Sequence, residues 1–296
     1  MRRILADGQV RRATIGDTAP HHQIGSLDPV RQGTDTARMP RILVINPNCS
    51  LACSAGIDAA LAPFRFPGGP AFEVVTLAEG PPAIYDWRDW HAVVAPLCRL
   101  IEREPADAYV VACASDPGIE AARATTRRPV LGVFRSAVAA AVARAERFGV
   151  IAIVEASKAR HLAALRAMGL EARLAAEVAL NVTMETLLEP STARARLAAV
   201  ARELVAAGAE TVILGCTGMA HHRAAVEDSA GVPVIEPCQA AAGLALTQCP
   251  PPQSDSAGCI GLSGLQRKLD TFTLGPLNLS VPQEVVSGSP RAERRR

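Results

Sequence analysis

Two stretches of the chain each deliver a thiol to the end of an apolar run. Residues 109–118 read YVVACASDPG and residues 211–218 read TVILGCTG, so Cys113 and Cys216 both follow a short β-branched segment and precede small polar residues and a glycine. Taken singly, a cysteine in such a place is most often inert packing. Set after a strand, beside Ser115 or Thr217 and at the start of the next helix, it has another use. Free backbone N–H groups and the helix dipole draw a thiol's pKa below its ordinary value of about 8.5 and so supply a thiolate. Two such groups on opposite faces of a carbon acid would invert its stereochemistry. One removes the α-proton, the other returns a proton from the far side, and backbone N–H groups hold the charge that builds on the carbonyl oxygen. That chemistry needs neither a metal nor an organic cofactor, and none is expected.

The elements that would position the two thiols repeat along the chain. Cys113 lies 16 residues before Pro129 of PVLGV and Cys216 lies 17 residues before Pro233 of PVIEP, so each copy reads strand, cysteine, polar turn, helix, Pro-Val strand. The opening strands RILVIN (41–46) and FGVIAIV (148–154) echo each other as well. Strands are expected at 42–46, 72–77, 107–113, 130–133, 148–154, 172–178, 210–215 and 232–235. Helices are expected around 50–62, 86–104, 118–127, 135–147, 157–168, 184–208, 218–228 and 237–247. This alternation predicts an α/β fold of two pseudosymmetric, doubly wound parallel-sheet lobes, with the active site in the cleft between them at the carboxyl ends of the strands. The first lobe is assigned to 41–139 and 233–248 and the second to 140–232. Residues 1–40 lack hydrophobic periodicity and read as a disordered extension, and 249–296 read as a low-complexity tail rich in turn residues.

Composition narrows the function classes. Hydrophobic residues make up 49% and aromatic residues 3% of the 296, which suits helices packed on parallel strands. A net charge of +2, with arginines spread along the chain, gives no nucleic-acid footprint. No apolar run reaches the roughly 18 residues of a membrane span, and the first residues lack a signal peptide's apolar segment. The cytoplasm is therefore expected, with eight reduced cysteines, none of them in a CxxC pair. The expected partner is a small-molecule substrate, with no nucleic acid and no membrane, and a homo-oligomer is expected.

Five ordered motifs carry a resemblance: INPNCS (45–50), ACASDPGIEAAR (112–123), ERFGVIAI (146–153), LGCTGM (214–219) and GVPVIEP (231–237). Together they resemble the aspartate/glutamate/hydantoin racemase superfamily, most nearly its hydantoin racemase branch, over about residues 41–247. The resemblance implies a cofactor-independent racemase with Cys113 and Cys216 as acid–base pair. It further implies substrate contacts from Asn46, Asn48 and Ser50 of the first loop and from Ser115, Asp116, Thr217 and Gly218 after the cysteines. Two positions depart from the pattern: Cys49 replaces a threonine, and Phe134-Arg135 stands where relatives carry a small residue and Glu. Arg135 could favour an acidic substrate or lie on an outer helix face. The order of preference for the substrate is 5-substituted hydantoins or related cyclic amides, then aspartate or glutamate. A decarboxylase or isomerase on the same scaffold and a non-catalytic ligand-binding relative are the other readings. Superfamily decarboxylases keep only one of the two cysteines. Among lesser candidates, Cys49 and Cys53 share a helix face without further ligands and suggest no metal site. His221-His222 read as a solvated pair, the DWRDW run (86–90) as a helix anchor, and Cys238 as packing.

Overall fold

The apolar runs at 42–45, 108–111, 148–152 and 211–215 become strands buried on both faces, the signature of parallel sheets covered by helices. The computed structural model describes residues 38–249 apart from residue 189, so the expected N-terminal extension and C-terminal tail lie almost wholly outside the described residues. Two four-stranded parallel sheets result. The first has the order β2-β1-β3-β4, from Arg41–Asn46 (β1), Ala71–Thr76 (β2), Ala108–Val111 (β3) and Val130–Gly132 (β4). The second has the order β6-β5-β7-β8, from Phe148–Ala152 (β5), Leu174–Ala179 (β6), Thr211–Gly215 (β7) and Val234–Ile235 (β8). Every pairing is parallel, and the two sheets have the same order with β5 standing for β1 and β7 for β3. The repeat seen in the sequence is thus a repeat of topology, and the described chain from Met39 belongs to one compact unit.

The last helix of each half crosses to the other. Helix α5 (Val133–Val142) leaves β4 of the first sheet, yet its Phe134, Ala137, Val138 and Ala141 pack with Phe148, Val150 and Ile213 of the second. Helix α10 (Pro237–Gln248) leaves β8 of the second sheet, and its Cys238, Ala241, Ala242 and Ala245 join the core around Ile42, Val44 and Val110 of the first. The expected division is redrawn accordingly. Segment 233–248 is not one block, because β8 pairs with β7 while α10 covers the first sheet, and most of α5 serves the second half although it precedes residue 140.

Helices otherwise follow the expected positions, with three breaks. The stretch 86–104 divides at Val93 into α2 (Trp87–Ala92) and α3 (Val94–Arg103), and 184–208 divides into α7 (Met184–Leu188) and α8 (Pro190–Ala206). After Cys216 the chain first makes a 3-10 helix, Thr217–His222, before α9 (Arg223–Ala230). Leu51–Ala60 (α1), Ile119–Thr125 (α4) and Ser157–Met168 (α6) complete the set. Among the described residues no helix is long and apolar enough to cross a membrane.

Candidate active site

The carboxyl ends of the strands converge on one cavity. The first half contributes Asn48 after β1, Ile84 and Tyr85 after β2, and Cys113 and Ser115 after β3. The second contributes Arg160 and His161 of α6 after β5, Met184 after β6, and Cys216 and Thr217 after β7. A wider outer recess, lined partly by Cys49 and Ser50, shares Ala83, Tyr85 and Met184 with the cavity and forms its mouth. The tyrosine hydroxyl of Tyr85 accepts from the backbone N–H of Met184 at 2.9 Å, tying the two halves across this mouth.

Cys113 sits in a polar turn. Its Sγ lies 3.5 Å from Ser115 Oγ, and the turn is held from outside by the Trp90 indole, which donates to Ser115 O at 3.0 Å. The tryptophan of the DWRDW run is therefore an anchor for this turn. Helix α4 begins at Ile119, close to the expected residue 118, after Pro117 and a left-handed Gly118 (φ 68°) have turned the chain, so Cys113 does not itself stand at a helix start. Cys216 does stand at a helix start, immediately before the 3-10 helix, although its side chain makes no capping bond. Its surroundings are apolar: Met184 Sδ lies 3.7 Å from its Sγ, and Met184 and Cys216 both pack against the core of the second half.

The expectation of lowered thiol pKa values is corrected by burial. Loss of solvent raises Cys113, partly offset by the Ser115 hydroxyl and backbone N–H and by the nearby Arg160 guanidinium. Burial pushes Cys216 further, up to about 12, against only the Gly218 backbone N–H, and the neighbouring Cys113 and Cys53 add to the rise. A helix terminus supplies too little to outweigh this loss of solvent.

Of the expected contact residues, Asn48, Ser115 and Thr217 line the cavity with the two cysteines, and Asn46, Ser50, Asp116 and Gly218 do not. Asn46 is fully buried behind the first loop, where its amide donates to Asn48 Oδ1 (3.1 Å), Ser50 O (3.1 Å) and Ser54 Oγ (3.0 Å). It fixes Asn48, whose Oδ1 also accepts from Ser50 N at 2.9 Å, so the Asn48 amide N–H₂ is the end left for a ligand. Ser50 caps α1 through a bond from Cys53 N and reaches only the outer recess. Gly218 serves through its backbone N–H alone.

Asp116 is a strut. Its buried carboxylate accepts from the N–H groups of Phe134 (2.8 Å) and Arg135 (2.9 Å) in the first turn of α5 and from the Arg135 guanidinium at 3.3 Å. Arg135 accordingly faces Asp116 and Glu120, not the cavity. A side chain at Gly132 would bring its Cβ within 2.3 Å of that carboxyl group, so aspartate in this position at 116 requires glycine at 132. The other half solves the same problem differently. Glu236, equivalent to Gly132 in the Pro-Val strand, accepts from Cys238 N (3.1 Å) and Gln239 N (2.7 Å) in the first turn of α10, and Met219 stands where Asp116 would be.

Two cavity residues, Arg160 and His161, escaped the reading of the sequence. A signal existed: buried Ser157, Arg160, His161, Ala164 and Leu165 fall at i, i+3, i+4, i+7 and i+8, the inward stripe of α6. His161 Nδ1 lies 2.5 Å from Glu177 Oε1 of β6, and its ring stacks on Phe134 at 4.5 Å. His222, expected in solvent, is buried with Nε2 3.1 Å from Leu187 O. Cys238 belongs to the core of the first half, and among the described residues no cluster of three or more His, Cys, Asp or Glu side chains could hold a metal, Cys49 and Cys53 included.

Residues 42–245 match the family described as Asp/Glu/Hydantoin racemase. The chain belongs to this family. Hydantoin racemase of Paenarthrobacter aurescens is 35% identical over 213 residues, 69% of this chain and 89% of its own length. Hydantoin racemase of Pseudomonas sp. (strain NS671) is 31% identical over 66% of this chain and 80% of its own. Allantoin racemase from Klebsiella pneumoniae superposes with a TM-score of 0.65 at 28% identity, covering 70% of this chain and 87% of that one. Family membership makes the protein a racemase-family α/β protein of two parallel-sheet lobes, and the matched segment takes in all eight strands except Arg41, the first residue of β1.

Proposed function

We propose that the protein is a two-base racemase acting at a carbon α to a carbonyl, on 5-substituted hydantoins or related cyclic amides. The observation that carries this reading is the entry of Cys113 and Cys216 into one cavity from equivalent strand ends of the two sheets. One thiolate takes the α-proton, the opposite thiol delivers a proton to the other face, and the roles reverse for the other enantiomer. Charge on the ring oxygen meets donors already in place: the Asn48 amide on one side and the backbone N–H groups that open the 3-10 helix after Cys216 on the other. The reaction so drawn uses no cofactor. Relatives named hydantoin racemase and allantoin racemase favour cyclic amides, and the predominantly apolar wall beside Cys216 suits a ring with an uncharged substituent. The seven described cysteines are all free thiols, which fits a reducing cytoplasm.

The test is a panel of enantiopure 5-substituted hydantoins, allantoin, aspartate and glutamate, followed by polarimetry and by exchange of the α-proton in D₂O. Loss of optical rotation with a cyclic amide and not with the amino acids is expected. Turnover of aspartate or glutamate alone would replace the substrate class, and inertness toward the whole panel would remove the reading.

A further inference from the structure

Arg160 is a buried cation without an anion. It is 3% exposed, and its guanidinium is held by neutral acceptors only: Nη1 donates to Ala156 O at 3.1 Å and Nη2 to Tyr85 O at 3.0 Å and Ser157 Oγ at 3.3 Å. The Trp87 ring lies 6.0 Å from its Cζ. Its Nε is the one buried side-chain nitrogen or oxygen among the described residues that has no partner. No carboxylate among them makes an ion pair with it, whereas Arg135, less buried, has two. The acidic groups nearest in the field, Asp86, Asp89 and Glu177, are engaged elsewhere. Asp86 accepts from Asp89 N, Asp89 accepts from Tyr85 N, and Glu177 is bonded to His161. Leaving a guanidinium buried and unpaired costs several kcal/mol, so a fold that keeps one beside its cavity keeps it for a negative charge that arises there.

The cavity offers that charge in the thiols. Arg160 and Cys113 line the same wall space, and each stabilises the charged form of the other. Facing Cys113 besides Arg160 are the Ser115 hydroxyl, the Asp116 carboxylate already bound to α5, and Cys216. Cys216 has no cation among its influences. We propose that Arg160 is the counter-charge of the Cys113 thiolate, so that of the two cavity thiols Cys113 is the one that ionises first. Arg160 is a positioning residue in this account, acting through Cys113, and the proposal rests on the reading of the cysteines as proton carriers. It follows that the enantiomer whose α-proton faces Cys113 meets its base at lower pH than the other.

Site-resolved alkylation decides it without turnover. The full chain is treated with iodoacetamide from about pH 5 to about pH 10, and modification of Cys113 and Cys216 is followed separately by peptide mass spectrometry. In the wild type Cys113 reacts at lower pH than Cys216. Arg160→Met moves the Cys113 midpoint up by about one unit or more, a tenfold slower reaction at neutral pH, and leaves Cys216 unmoved, while Arg160→Lys restores most of the shift. An unchanged Cys113 midpoint in folded Arg160→Met, or a wild type in which Cys216 ionises first or together with Cys113, overturns the proposal. If Arg160→Met does not fold, the wild-type order and Arg160→Lys carry the decision. A protein inert toward every cyclic amide but showing the alkylation shift would lose the racemase reading and keep the ion pair.

Discussion

The two walls of the cavity share a backbone and differ in chemistry. Cys113 and Cys216 end equivalent strands, β3 and β7, of sheets with identical order. Around Cys113 stand a hydroxyl, an indole-anchored turn and an arginine, and around Cys216 stand a thioether and an apolar core, with one backbone N–H for relief. The same divergence appears in the caps of the crossing helices, where a carboxylate binds the second and third N–H groups of α5 from Asp116 and those of α10 from Glu236. A repeat of this kind conserves what the fold needs, a strand end and a capped helix, and leaves the local field free to differ. Two identical thiols thereby stand in different local fields.

The largest effects come from treating the walls as equivalent in turnover. Cys113→Ser and Cys216→Ser each lower racemisation of a confirmed substrate by about 10²-fold to 10⁴-fold or more, because serine keeps the shape but does not ionise near neutral pH. Polarimetry measures the loss, and circular dichroism should show both variants folded. A variant that loses activity on one side only would mean that one wall carries the reaction alone.

Gly132→Ala breaks the first wall selectively. The new methyl would sit 2.3 Å from the Asp116 carboxyl carbon, which two N–H groups hold in place, so either the cap or the turn bearing Cys113 must move. A destabilisation of about 1–3 kcal/mol in chemical unfolding is expected from such overpacking. The second wall has no counterpart, since Glu236 already occupies the equivalent position. Wild-type stability in Gly132→Ala would show that the strut is slack.

Ser115→Ala sharpens the contrast further. Removing one hydrogen bond of ordinary strength, about 0.5–1.5 kcal/mol, should raise the Cys113 alkylation midpoint and slow turnover roughly two- to tenfold, leaving Cys216 unaffected. A separate effect falls on stability at high pH. Cys216 is held protonated by the fold, with its pKa raised from 9.0 to about 12. The unfolded chain therefore releases that proton first, and the contribution is fully present below about pH 9 and is lost as pH rises toward about 12. The unfolding midpoint of the wild type should fall more steeply over this range than that of Cys216→Ala, and parallel curves would contradict the assignment.

Much of this arrangement was legible in the sequence because it depends on local pattern. The β-branched runs, the paired Cys-to-Pro spacings and the first-loop asparagines marked eight strands, two lobes and a thiol pair. Three features depended on partners distant in sequence. The apolar faces of α5 and α10 do not say which sheet they will cover, so their exchange between halves was invisible. Asp116 looked like a ligand because nothing local reveals that α5 begins against it, although Gly132 is the residue that admits it. Arg160 and His161 were not singled out, since only the inward spacing they share with Ala164 and Leu165 marks them.

The central claim is that each thiol serves one enantiomer, and exchange in D₂O tests it most directly. Each serine variant is incubated with each enantiomer of a confirmed substrate, and α-deuterium is counted by NMR before net racemisation begins. Cys216→Ser should exchange the enantiomer facing Cys113, Cys113→Ser should exchange the opposite one, and neither should racemise. Exchange of the same enantiomer by both variants, or racemisation near the wild-type rate by either, would contradict the account.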